Sequence, residues 1–88
     1  MKYPRSNPHL GALYIQAVEN QLRDNDPPET RVTLERFQRE GHTESDSKRL
    51  IATVIAAETF WIMKKKEEFN LNRFVRNLNR LPRSPEEK

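Results

Sequence analysis

Cysteine is absent from this sequence of 88 residues, and glycine occurs only twice, as Gly11 and Gly41. The absence of cysteine excludes disulfides, thiolate nucleophiles and thiolate zinc sites, and it is typical of proteins in a reducing compartment. With so little glycine, the chain offers no glycine-rich loop that could hold a phosphate group. These absences favour a cytoplasmic protein that works without cysteine or nucleotide chemistry.

Long apolar runs are also missing. The longest extends from Leu50 to Met63 and is interrupted by Thr53, Glu58 and Thr59, whereas a membrane-spanning helix needs roughly 20 apolar residues. The N-terminus carries charge but no continuous apolar segment, which argues against a signal peptide. We therefore expect no membrane association.

What is present suffices for one small domain. Hydrophobic residues make up 34% of the chain and charged residues 33%, so we expect a thin core, no deep substrate cavity, and a partner-binding role. Apolar spacing and start signals predict an all-α fold: a compact bundle of four helices around one long central helix, with no sheet. The single domain at 7–82 would contain helices at about 8–24, 27–40, 44–66 and 71–80. Residues 1–6 are predicted to be flexible and 83–88 disordered.

The helix boundaries are marked by capping residues. Asp26 before Pro27 predicts the start of the second helix, and Gly41 supplies the left-handed residue that commonly ends one. Thr43 predicts the start of the third helix and Asn70 that of the fourth. The second helix has few apolar residues, so we expect it to be peripheral.

The third helix is apolar on more than one face, which is typical of a helix covered by several neighbours or by a second subunit. Phe60 and Trp61 are adjacent and point about 100° apart, so they cannot both enter one thin core. Together with Met63 they form a candidate interface for a protein partner or for a homodimer. The alternative is that the four helices enclose both rings.

Glu58 lies in the apolar sector of the third helix, beside Val54 and Ile55. A carboxylate in such a place must be paired, hydrogen-bonded or protonated. A structural interpretation has Glu58 pairing with an arginine or capping a neighbouring helix. A functional one makes it a metal ligand or a general base.

No catalytic constellation is visible. His9 and His42 are the only histidines, and two are too few for a zinc site, which usually has three or four protein ligands. The serines have no partnered histidine in a recognisable context. We therefore expect no enzyme activity, no metal and no cofactor.

The charge is unevenly distributed. Residues 1–47 hold six basic and eight acidic side chains, whereas 48–83 hold nine and three. The fourth helix, with a predicted apolar face of Leu71, Phe74, Val75 and Leu78, would carry an arginine stripe outside it. This stripe and the lysine triplet are candidate contacts for an anion or for nucleic acid, and they comprise Lys64, Lys65, Lys66, Arg73, Arg76 and Arg80. Nucleic-acid binding is therefore an alternative to a protein partner.

Several short segments look familiar: Glu19-Asn20-Gln21-Leu22, Asp26-Pro27-Pro28-Glu29, Thr33-Leu34-Glu35-Arg36, Ala56-Ala57-Glu58 and Leu81-Pro82. Together they resemble a small all-helical bacterial family of uncharacterised function, over about residues 7–82. The resemblance implies a helical fold and no activity. Members often carry two histidine pairs, in the first helix and in a His-Glu-x-x-His sequence that starts the long helix. The matching positions here are Gly11 and Ile15, and Ser45 and Arg49, so the resemblance implies a relative that has lost a metal site.

Overall fold

A computed structural model describes residues 8–82, with side chains from residue 11 onwards. These residues form four helices and no strand, which confirms the predicted all-α fold. The helices are α1 (Pro8–Asp24), α2 (Pro28–Arg39), α3 (Glu44–Lys65) and α4 (Leu71–Arg80). The segments 1–6 and 83–88, predicted to be flexible or disordered, lie outside the described residues.

Helix α3 is the centre of the bundle and packs against α1, α2 and α4. Its 22 residues span about 33 Å at 1.5 Å per residue, nearly the longest dimension of the domain, 35 Å. Among the described residues, the six largest fully buried apolar side chains come from all four helices: Val18, Phe37, Ile51, Val54, Phe74 and Leu78. The expectation that α2 would be peripheral is wrong, because α2 contacts all three other helices and contributes Phe37 to the core.

The helix starts depend on local capping bonds. The Thr43 hydroxyl accepts the backbone N–H of Asp46 at 3.0 Å, and the Asn70 side chain accepts that of Arg73 at 3.0 Å, so both predicted caps are confirmed. The predicted cap at Asp26 is wrong. Pro27 itself takes the N-cap position in an extended conformation, with no side-chain cap, and α2 begins one residue later than expected.

Three chain reversals pass through a left-handed residue. Gly41 has φ 98°, as its predicted role requires, and Asn25 and Lys66 have φ 51° and 53°. After Lys66, the N–H of Glu67 donates to the carbonyl of Ile62 at 3.2 Å, which is the Schellman pattern of a helix end. Helix α3 therefore ends one residue earlier than predicted, and the chain turns back towards α4.

The buried face of α4 differs from the predicted one. It consists of Arg73, Phe74, Asn77 and Leu78. Leu71, which was expected to face the core, is 45% exposed. The reason is that α4 turns the Arg73 side chain inward to reach an acid of α3, and this orientation leaves Leu71 at the surface.

Candidate functional site

The two adjacent aromatic residues of α3 lie in different environments. Trp61 follows Val54 and Glu58 at helical spacing, faces the core and is 7% exposed, whereas Phe60 is partly exposed. Their rings meet edge to face, with centroids 5.1 Å apart. The prediction that Trp61 belongs to an interface is therefore wrong, because the domain itself covers this ring. Phe60 remains available at the surface.

The surface that includes Phe60 runs along the side of α3 that faces away from the core. Nine residues are two and a half helical turns, so Phe60 lies opposite Ile51 and Met63 lies opposite Val54. Ile51 and Val54 are fully buried, whereas Met63 is 72% exposed. Thr53, Phe60 and Met63 follow one another at intervals of seven and three residues and share one face; we call them the outer seam.

The sequence analysis identified Phe60 and Met63 but not Thr53 as part of the outer seam. Thr53 is exposed, whereas Ala56, which lies between Thr53 and Phe60 at helical spacing, is 8% exposed and is covered by the domain. The sequence contains a signal for it, since Thr53 lies seven residues before Phe60 and thus on the same face of the helix. This signal is weak because α3 is apolar on several faces, so no single apolar stripe stands out in its sequence.

The lysines at the end of α3 lie over the aromatic pair. The Lys64 ammonium is 5.4 Å from the centroid of the Phe60 ring, and the Lys65 ammonium is 5.0 Å from that of Trp61. Both distances are typical of cation–π contacts, and the carbonyl end of a helix also favours cations. Lys64, Lys65 and Lys66 are all exposed. This end of the outer seam is thus positively charged.

Glu58 is 3% exposed and is fully engaged within the domain. The Arg73 guanidinium donates to both of its carboxylate oxygens, each at 2.8 Å. The backbone N–H of Asn70, at the start of α4, also donates to Glu58 at 2.8 Å. Glu58 thus pairs with an arginine and also accepts from the N-terminus of a neighbouring helix. Its bonds leave little capacity for a metal or a substrate.

Arg73 does not belong to an exposed stripe. Its side chain is 8% exposed, and it also donates to Glu67 at 2.7 Å. The hydrogen bond to Glu58, opposed by burial and supported by Glu67, raises the pKa of Arg73 above the ordinary arginine value. The predicted contact of Arg73 with an anion is therefore wrong, because both acids already engage it. Arg76 and Arg80 are exposed.

A shallow cleft of about 480 Å³ lies between α1 and the start of α3. Its lining is Ile15, Glu19, Glu44, Ser45, Lys48 and Arg49. Three of these, Ile15, Ser45 and Arg49, are positions where the resembled family would carry histidines, and the fold brings them to one place. The Lys48 ammonium lies 2.9 Å from Glu44 and 3.5 Å from Glu19, so charged pairs line this cleft.

Of the two histidines, only His42 has a side chain that the structure describes. His42 is exposed and packs its ring edge-on against Phe37, with centroids 5.2 Å apart. The side chain of His9 lies outside the described residues. Among the side chains that the structure describes, no three histidine, cysteine or acidic residues are close enough together to hold a metal ion.

Comparison with protein-family models, with curated proteins and with solved structures finds no match to this chain. The family resemblance therefore stays a prediction. Within residues 8–82, no helix is long and apolar enough to span a membrane.

Proposed function

We propose that this chain is a non-enzymatic protein-interaction module of the cytoplasm, and that its contact surface is the outer seam with the adjoining lysines. One observation carries the proposal. Met63 is 72% exposed and lies beside the partly exposed Phe60, on the side of α3 opposite the fully buried core. These two side chains form an apolar surface, and the exposed lysines at the end of α3 form its charged rim.

The chemistry of the surface suits a helix of another protein. Methionine is flexible and adapts to different apolar shapes, and a partly exposed aromatic ring is a frequent interface anchor. An amphipathic helix laid along the outer seam would remove Phe60 and Met63 from water.

Nucleic-acid binding has weaker support. Arg73, one of the six basic candidates, is engaged inside the domain, and Lys64 and Lys65 lie over aromatic rings. Arg76 and Arg80 are exposed on α4, but two cations neutralise few phosphates, and phosphate contacts supply most of the affinity for nucleic acid. A degenerate metal-binding relative remains the third proposal, and the cleft that contains Ile15, Ser45 and Arg49 is its only support.

The experiment is site-specific photo-crosslinking in the native cell. A photoactivatable residue replaces Met63 in one variant and Val32 in a matched control, since Val32 is 61% exposed on α2, outside the outer seam. Crosslinked proteins are identified by mass spectrometry, and the binding of each is then measured with purified components. We expect a specific product from position 63 and none from position 32. Products from position 32 alone, or from neither position, would overturn the proposal.

A further inference from the structure

We draw no further inference here: the strongest candidate, the exposed apolar patch of Phe60 and Met63 on α3 with the lysines at the end of that helix, carries none, because nothing in the structure shows what covers it.

Discussion

The two ends of α3 use ion pairs in opposite ways. At the N-terminal end, Lys48 pairs with Glu44 at 2.9 Å, and the two side chains are 18% and 61% exposed. At the C-terminal end, Glu58 pairs with Arg73 at 2.8 Å, and both side chains are less than a tenth exposed, at 4% and 8%. The N–O distances of the two ion pairs are nearly equal, but the two pairs differ in how accessible they are to water.

Exposure decides what each pair does for the fold. A surface ion pair is only slightly lower in free energy than its two separately hydrated ions, and salt screens the attraction. The ion pairs at the N-terminal end of α3 therefore do not hold their side chains in one fixed arrangement. A buried pair depends on both partners, because removal of one leaves an uncompensated charge inside the protein. At the C-terminal end, Glu58 therefore fixes the positions of both the Arg73 side chain and the start of α4.

The largest expected effect is at the buried pair. Glu58→Gln leaves the Arg73 guanidinium with only Glu67 as a charged partner, and we expect a loss of about 3 kcal/mol or more in the free energy of unfolding. Glu67→Gln is the matched control on the same arginine. Because the Glu67 side chain is 40% exposed, its loss should cost less than about 1 kcal/mol. Urea denaturation followed by circular dichroism measures both losses. Equal losses for the two variants would show that the burial of Glu58 does not make its ion pair more important for stability than that of Glu67.

A smaller effect is expected from the N-terminal cap of α3. Thr43→Ala removes the acceptor for the N–H of Asp46, and we expect a loss of about 1 kcal/mol. Thr43→Ser keeps a hydroxyl at the same place and should retain most of the stability. If the alanine and serine variants unfold at the same urea concentration, the hydroxyl does not cap this helix.

The smallest effect is expected at the exposed end. Lys48→Met removes two surface ion pairs but keeps an aliphatic side chain, and we expect a loss of no more than about 0.5 kcal/mol at neutral pH. The hydrogen bond to Glu44 raises the pKa of Lys48 above its ordinary value. Its stabilising contribution is therefore complete below the ordinary lysine pKa and is lost as the pH rises through the raised value. The wild type and the variant should therefore become equally stable at strongly alkaline pH. A difference in stability that persists there would contradict the predicted pH dependence.

The features that could be predicted from the sequence are local ones. A cap such as Thr43 or Asn70 depends on a backbone N–H only three residues away, so the residues themselves contain the information. The helical fold follows in the same way from apolar spacing. The Asp26 cap failed because two successive prolines follow it, and either of them can stand at the boundary of a helix.

The features that could not be predicted depend on residues far apart in the chain. Arg73 looks like a surface cation when α4 is considered alone, and only Glu58, fifteen residues earlier, turns it inward. The burial of Trp61 likewise depends on how the other helices surround α3. The sequence indicates that Phe60 and Trp61 differ in burial, since their side chains point about 100° apart on the helix. Which of them is buried was decided by tertiary packing.

Lys66 holds a left-handed backbone, a conformation that costs a residue with a Cβ atom about 1 kcal/mol or more and costs glycine almost nothing. Glycine at this position would make the domain more stable. It would also remove one of three consecutive positive charges at the end of α3. Selection for thermostability alone would therefore replace Lys66 with glycine, and this replacement would also weaken the proposed contact surface. A lysine at this turn is what selection for binding, rather than for stability, would retain.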